Sequence, residues 1–268
     1  MDYDITKYDR PSVAADIVVF TVRKSSSESY RHLSKPVLSV LLIRRKEEPF
    51  DKMLSLPGGF CCREETIEET AFRKLKEKTG VDCPPLSLLC NLSGYGRDPR
   101  GWIISCCYWT VIEYTGAAIE ENAAWYEVSL AGSDGRYTLV LTDDNGKEYV
   151  SEVRLSSTNE LYNQSAQADI PRNSLAFDHA EIIVNALLRL RSSLEKPYAA
   201  FRMLPDRFTL TDLQQVYEAV LDRKLIMANF RRKIAPYVEE TGDIEGGAGH
   251  RPSKLYTKRL ISEEQTDS

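Results

Sequence analysis

The sequence predicts a sandwich of strands and helices, of the α/β or α+β class, followed by a C-terminal winged helix-turn-helix domain. Runs of β-forming residues are interspersed with helical segments over most of the chain. Two short helical segments and a hairpin follow near the C-terminus. The length of 268 residues favours two domains over one.

The first domain is predicted from its β-forming runs. These runs are residues 13–22, 37–44, 103–114, 136–142 and 148–154. The last two flank Asp143-Asp-Asn-Gly146, and Asn-Gly is a strong signal for a tight hairpin turn. We therefore expect a sheet with a hairpin among its later strands.

The segment from Gly59 to Val81 carries the most specific pattern in the chain. Its glycine, acidic, arginine and aliphatic positions are Gly59, Glu65, Arg73, Leu75, Glu77, Gly80 and Val81. This spacing resembles the Nudix box, G-x5-E-x7-R-E-U-x-E-E-x-G-U, where U is a bulky aliphatic residue. Lys74 and Lys78 depart from it, because the pattern has glutamate at both positions. The resemblance implies an α+β protein whose first domain is a Nudix α/β/α sandwich with a mixed sheet.

The two lysines change the chemistry that this segment supports. Positions 74, 77 and 78 share one face of the predicted helix, on which three carboxylates would hold Mg²⁺ and activate water for pyrophosphate cleavage. With Lys, Glu and Lys, the formal charge of that face changes from −3 to +1, which repels a divalent cation. We therefore expect a vestigial box (Gly59, Glu65, Arg73, Glu77) in a domain that requires no cofactor and binds a nucleoside diphosphate without cleaving it efficiently. Lys74 and Lys78 are then phosphate-binding cations.

An active enzyme is the alternative. The two lysines would then be solvated surface residues, and Glu65 and Glu77 would be the surviving metal ligands. The protein would be a Mg²⁺-dependent Nudix pyrophosphohydrolase of nucleoside diphosphate derivatives such as ADP-ribose.

The turn Arg97-Asp-Pro-Arg100 is a second candidate ligand contact. Two guanidinium groups on a rigid turn can bind phosphate in a fork or stack on a base. The turn is similar to one in Nudix proteins that handle ADP-ribose, which implies that Arg97 and Arg100 bind the ligand. An ordinary charged turn is the alternative.

A linker helix is predicted after the first domain. Apolar residues recur with a helical period from Ser174 to Arg191, and Ser174 is the expected N-cap. His179 lies in this helix, where we expect a packed or hydrogen-bonded side chain. The expected domain boundaries are 1–172 for the Nudix-like domain, 173–197 for the linker helix, 198–260 for the winged helix and 261–268 for an acidic tail.

The winged helix is predicted from two helical segments and a hairpin. The helices are 208–221 and 226–235, and the hairpin strands are 237–242 and 254–258. The second helix would enter the major groove of DNA while the hairpin contacts the minor groove. The candidate DNA-binding residues are Asn229, Arg231, Arg232, Lys233, Arg251 and Lys254. A domain used only for dimerisation or protein contacts is the alternative.

Charge and composition narrow the class of protein. Residues 200–260 carry a net charge of +3 on a chain whose total is −5, which is a weak indication of nucleic-acid binding. No apolar run is long enough to span a membrane and no signal sequence is evident, so we expect a cytoplasmic protein without a membrane partner. The six cysteines form no C-x-x-C pair, which argues against a zinc site.

The combination of the two domains resembles the Nudix-related transcriptional regulators of bacteria. The residues that carry this resemblance are the box, Phe208-Thr-Leu-Thr-Asp-Leu-Gln-Gln-Val-Tyr-Glu218 and Arg251-Pro-Ser-Lys-Leu-Tyr256. Members of that group repress genes of NAD-cofactor or pentose use and sense ADP-ribose or a related sugar phosphate. The resemblance implies operator DNA and a phosphorylated effector as partners, and a homodimer that binds a palindromic site.

Overall fold

The computed structural model of the protein describes most of the chain. The described residues are 4–25, 35–82, 84–155, 173–245 and 253–259. The chain divides into two compact units, within each of which the residues lie close together in space. The first comprises residues 1–20, 40–110 and 118–186, and the second comprises 21–39, 111–117 and 187–268.

One large sheet runs through the described part of the chain. Its strands are β1 (Ser12–Lys24), β2 (Pro36–Arg44), β3 (Leu54–Ser55), β4 (Gly58–Phe60), β5 (Ser87–Leu92), β6 (Ile103–Val111), β7 (Ala123–Ser133), β8 (Arg136–Thr142) and β9 (Glu148–Arg154). The order is β5-β6-β1-β2-β7-β8-β9, with β3 paired to β2 and β4 paired to β1. Four of the five predicted β-forming runs lie within strands, and the run 103–114 extends three residues past the end of β6 at Val111. The predicted hairpin is the antiparallel β8–β9 pair.

The middle of this sheet forms the core of the domain. Residues 17–20 of β1 and 40–42 of β2 are completely buried. Such continuous apolar burial is typical of strands covered on both faces. The predicted α+β class is confirmed, and the sheet positions the box segment, because Gly58 and Gly59 in β4 pair with Asp16 and Ala15 of β1.

The box helix, α1 (Ile67–Thr79), begins and ends with strong capping signals. Thr66 accepts a hydrogen bond from the Glu69 backbone N–H, and the Glu69 side chain accepts one from the Thr66 N–H. This capping box satisfies two N–H groups that an uncapped helix leaves unpaired. Gly80 ends the helix at φ 73°, in the left-handed region that favours glycine, as predicted.

The helix predicted from Ser174 begins later, so the expected Ser174 N-cap is wrong. Helix α2 spans His179–Ser193. Ser174 instead donates from Oγ to the Val150 carbonyl, and Leu175 forms a parallel bridge with Leu54. Phe177 has φ 54°, which interrupts a right-handed helix. Tertiary pairing therefore overrides the helical pattern before His179.

The C-terminal elements form a winged helix, as predicted. They are α3 (Tyr198–Phe201), α4 (Leu210–Leu221), α5 (Met227–Ile234) and the antiparallel hairpin of β10 (Val238–Glu245) and β11 (Ser253–Lys258). Thr209 caps α4 in a capping box with Asp212, and Asp222 ends it at φ 50°. Tyr217 of α4 and Phe230 of α5 pack edge to face, with ring centroids 5.2 Å apart. No helix in the described ranges is long and apolar enough to cross a membrane.

Candidate functional site

Glu65 and Arg73 form an ion pair at the start of the box helix. Arg73 donates from Nε to Glu65 Oε2 at 2.8 Å and from Nη2 to Glu65 Oε1. The Cys62 backbone N–H also donates to Glu65 Oε1, at 2.6 Å. The hydrogen bonds from Arg73 and Cys62 hold the pKa of Glu65 well below its usual range. This carboxylate is therefore ionised and already has its partners.

Glu77 is paired with cations on the same helix. It accepts from Lys74 Nζ at 2.8 Å and from Arg73 Nη1 at 3.2 Å. The hydrogen bond from Lys74 is the main cause that lowers the pKa of Glu77. Gly59 makes room for this arrangement, because a Cβ at position 59 would lie 2.9 Å from both Cδ and Cε of Lys74.

Two further carboxylates of the box segment have structural partners. Glu68 accepts from the Tyr108 hydroxyl at 3.0 Å, and Glu69 belongs to the helix cap. Lys78 is exposed and pairs with none of the residues that the structure describes. Among those residues there is also no cluster of three His, Cys, Asp or Glu side chains that could hold a metal. Glu65 and Glu77 of the box are each paired with a cation, so they do not fit the three-carboxylate Mg²⁺ site that the family pattern implies.

The two arginines of the predicted ligand turn are bound by carboxylates. Arg97 donates from Nε and Nη2 to the two oxygens of Asp178, at 2.8 and 2.7 Å, and both side chains are only 9% exposed. Arg100 donates to both oxygens of Asp98 at 3.0 and 2.7 Å, and it is 38% exposed. Arg100 therefore keeps an accessible face, whereas Arg97 is buried and paired with Asp178.

Arg100 brings three segments of the domain together. Its guanidinium lies 4.9 Å from the ring centroid of Phe60, in the box strand, and 4.9 Å from that of Phe177, which precedes α2. Arg45 stacks on the same Phe177 ring at 4.9 Å. A ligand that contacts Arg100 would therefore touch a cluster connected to both the box and α2.

A cavity of about 300 Å³ opens beside this cluster. The lining residues that bear on its chemistry are Phe50, Arg97, Asn173, Phe177, Asp178 and Glu181. Phe50 and Phe177 meet edge to face with their centroids 4.8 Å apart. The combination of apolar walls and a few polar groups is typical of a small-molecule site.

His179 has the hydrogen-bonded role expected from the sequence. Its Nδ1 accepts from the Leu56 backbone N–H at 2.9 Å, and its Nε2 lies 3.6 Å from Asp16 Oδ1. Burial lowers the pKa of His179, which favours the neutral ring. The imidazole thereby joins the start of α2 to the segment before the box.

The predicted DNA-binding residues differ in whether their side chains already have hydrogen-bond or ion-pair partners within the protein. Arg231 is exposed and its guanidinium has no partner among the described residues, and Arg232 donates only to the neighbouring Asn229 Oδ1 at 3.1 Å. Lys233 donates to the Leu194 carbonyl at 3.0 Å and lies 5.3 Å above the Tyr217 ring. Lys254 pairs with Glu240 at 2.8 Å.

Arg251 lies outside the described residues. The sequence motifs also missed three residues of the cavity region. Asp178 and Glu181 are separated from Arg97 by more than eighty positions, and no local pattern links them. Phe177 was counted within a predicted helix, so its role against Arg100 was not evident.

Comparisons with known proteins agree with both parts of the fold. The NUDIX domain family matches residues 27–167, and the NrtR DNA-binding winged helix domain matches residues 200–257. The ADPR responsive transcriptional repressor NtrR of Acinetobacter baylyi is 29% identical over 260 residues, which are 95% of this chain and 84% of that protein.

Two solved structures are similar over nearly the whole chain. A MutT/nudix family protein from Enterococcus faecalis has a TM-score of 0.71 and 26% identity, covering 96% of this chain and 90% of its own. NrtR from Shewanella oneidensis, complexed with a 27mer DNA, has a TM-score of 0.59 and 27% identity, covering 92% of this chain and 93% of its own.

Proposed function

This chain belongs to the Nudix family, and on that premise we propose that it is a ligand-responsive transcriptional regulator. Its Nudix domain binds ADP-ribose or a related nucleotide or sugar phosphate, and its winged helix binds operator DNA. The observation that carries the proposal is a Nudix box whose carboxylates are paired with cations, in a chain that also has a winged helix with exposed arginines. The similarity to an ADPR-responsive repressor over most of the chain supports it.

The box is suited to binding a diphosphate more than to cleaving it. A Mg²⁺ ion would have to displace Arg73 from Glu65 and Lys74 from Glu77 before either carboxylate became a ligand. The exposed Lys78 adds a positive charge to the same helix and has no partner among the described residues. A sensor that leaves its ligand intact reports the ligand's concentration, which is the behaviour expected of a regulator.

The accessible cations are the candidate phosphate contacts. Arg100 retains an exposed face, Lys78 is exposed, and Lys74 is 20% exposed at its side chain. Arg97 acts indirectly in this proposal, because its fork is already filled by Asp178. It holds the turn that carries Arg100 and orders the residues before α2.

DNA binding is assigned to α5 and the hairpin. The exposed Asn229, Arg231 and Arg232 would enter the major groove, with Lys254 of the hairpin on the adjacent backbone or minor groove. Arg251 lies outside the described residues and is a candidate minor-groove contact from its position in the sequence. Lys233 stabilises the position of α5 through Leu194 and contributes less to the DNA contact. A homodimer with half-sites about 34 Å apart would match a palindromic operator.

We assign residues 1–172 to the ligand-binding domain, 173–197 to the linker, 198–260 to the DNA-binding domain and 261–268 to the acidic tail. Ligand binding weakens DNA binding only if the ligand prefers one of two arrangements of the dimer. Helix α2 connects the ligand-binding domain to the winged helix along the chain. Asp178, immediately before the helix, accepts hydrogen bonds from Arg97, and His179, its first residue, accepts one from the Leu56 N–H.

The test is selection of duplexes from a random-sequence pool, followed by anisotropy titration of the selected DNA at several salt concentrations. We expect a specific duplex, a log–log salt dependence of the affinity, and weaker binding when ADP-ribose is added. Failure to enrich any duplex over several rounds would overturn the DNA-binding assignment. Enrichment without any response to ADP-ribose, NAD or ribose 5-phosphate would overturn the assignment of the effector class.

A further inference from the structure

Glu181 occupies an unusual position in the cavity beside α2. It lies in the first turn of α2, is half-buried, and lines the cavity with Phe50 and Phe177. Its carboxyl group has no hydrogen-bond or ion-pair partner among the residues that the structure describes. Burial, with the nearby Asp178 charge, raises the pKa of Glu181 to about 7.

The other inward polar groups of the cavity have their hydrogen bonds already. Arg97 and Asp178 satisfy each other in a two-bond fork. Asn173 accepts from the Leu175 N–H at 3.0 Å and from the Ser151 hydroxyl at 3.2 Å, and it donates to the Phe177 carbonyl at 3.1 Å. Glu152 and Arg154 also line the cavity but are exposed, so Glu181 is the half-buried polar residue there whose side chain has no hydrogen bond among the described residues.

An unpaired carboxyl group in a partly apolar site is unfavourable until a donor reaches it. Removing such a group from water without a compensating hydrogen bond costs free energy, so a donor supplied by a ligand would be bound with extra affinity. Phe177, the aromatic residue beside Glu181, also has a strained backbone, with φ 54°. Asn173 donates a hydrogen bond to its carbonyl. A flat ligand that also donates hydrogen bonds matches both features.

We propose that this cavity binds the nucleoside part of the effector, with Glu181 accepting hydrogen bonds from its amino or hydroxyl groups and Phe50 and Phe177 contacting its flat face. The identity of the effector rests on the function proposed above, but the assignment of Glu181 to a nucleoside does not. A nucleoside supplies N–H and O–H donors on an otherwise apolar ring system, which is the chemistry that the cavity lacks. Arg100, stacked on Phe177, lies at the edge where an attached diphosphate would begin.

The experiment compares the full-length protein with two variants. Glu181→Gln removes the carboxylate acceptor with little change of volume, and Glu148→Gln is the matched control, because Glu148 is exposed at the start of β9 and does not line the cavity. Binding of adenosine, ribose 5-phosphate and ADP-ribose is measured by ligand-observed NMR and calorimetry. Inosine and 2′,3′-dideoxyadenosine then separate the amino group from the ribose hydroxyls as donors.

At about pH 8, where the carboxyl group is mostly ionised, we expect Glu181→Gln to weaken the binding of adenosine and ADP-ribose about ten-fold or more, since hydrogen bonds to charged groups are the stronger ones. The affinity of Glu181→Gln for ribose 5-phosphate, and all the affinities of the Glu148→Gln variant, should stay within about two-fold of those of the unaltered protein. Unchanged adenosine affinity in a folded Glu181→Gln variant, or no binding of adenosine to the unaltered protein, overturns the inference. The regulator proposal is judged separately by DNA selection, so either can fail alone.

Discussion

Helices α1 and α5 both concentrate positive charge, but they use it in opposite ways. On α1, Arg73 and Lys74 are bonded to Glu65 and Glu77, so the cations neutralise carboxylates of their own segment. On α5, the exposed Arg231 has no acidic partner among the described residues. Arg73 and Lys74 of α1 are thus paired within their own segment, whereas Arg231 of α5 is available to bind a polyanion such as DNA.

The difference shows that the count of charges in a segment does not determine what the segment binds. A cation that already has a carboxylate partner must lose that partner before it gains a phosphate, and the two exchanges nearly cancel. An unpaired arginine exchanges only water and counterions for a DNA phosphate. Substitutions of unpaired cations are therefore expected to change DNA binding more than substitutions of cations that already have a partner.

The largest effect is expected when the free charge of α5 is removed. Arg231→Ala with Arg232→Ala should weaken DNA binding about 100-fold and reduce the log–log salt slope by about two, since each lost phosphate contact reduces it by about one. Anisotropy titration over a range of salt measures both quantities. Arg189→Ala is the control, because Arg189 is exposed on α2, outside the winged helix. If the double variant matches this control, α5 does not contact DNA.

Reversing the charges of α1 tests the other half of the comparison. Lys74→Glu with Lys78→Glu should raise Mg²⁺-dependent cleavage of ADP-ribose by about ten-fold or more, because Glu77 would lose its lysine partner and a three-carboxylate face would be restored. Phosphorus NMR follows the appearance of AMP and ribose 5-phosphate. Lys76→Glu makes an equivalent charge change at an exposed residue paired with Asp82 and should leave cleavage unchanged. Rapid cleavage by the unaltered protein would instead favour the enzyme hypothesis.

An intermediate effect is expected from Glu181, a half-buried carboxyl group without a partner among the described residues. Its pKa of about 7 exceeds the ordinary value of 4.5, so between these values the folded state holds a proton that the unfolded state has released. The contribution of Glu181 to stability therefore falls as pH rises through this window, by about 1–3 kcal/mol. Denaturant unfolding of the protein and of Glu181→Gln at about pH 4.5 and pH 8 should show the variant gaining relative stability at the higher pH. A constant difference between them would contradict this assignment.

The smallest effect is expected at Lys233, whose ammonium group already has a hydrogen-bond partner within the protein. Lys233→Met should change DNA affinity by only about two- to three-fold, because the Lys233 ammonium is bonded to the Leu194 carbonyl. The same anisotropy titration measures it beside Arg231→Ala. A loss as large as that of Arg231→Ala would show that Lys233 leaves Leu194 for DNA.

The elements with local signals were predictable from the sequence. The capping boxes of α1 and α4, the Gly80 cap and the Asn-Gly hairpin each depend on residues within a few positions of one another. The start of α2 was not predictable, because Ser174 is held by Val150 through a hydrogen bond across the fold. Strands β5 and β7 were also not among the predicted runs.

The candidate site was predictable in its residue types but not in its pairings. The box spacing identified Glu65, Arg73 and Glu77, and the structure places all three in one ion-pair cluster. Nothing in the sequence linked Arg97 to Asp178, because a pair separated by 81 positions has no periodicity to reveal it. Whether a charge is free is a property of the folded chain.

The central claim is that this protein senses a nucleotide without consuming it, and one time course tests it most directly. A selected, labelled duplex is saturated with protein in the presence of Mg²⁺, ADP-ribose is added once, and anisotropy is followed for hours. We expect the DNA to be released promptly and to stay released, because the effector persists. Release followed by rebinding would show that the effector is being cleaved, and no release at all would contradict the role of ADP-ribose in regulation.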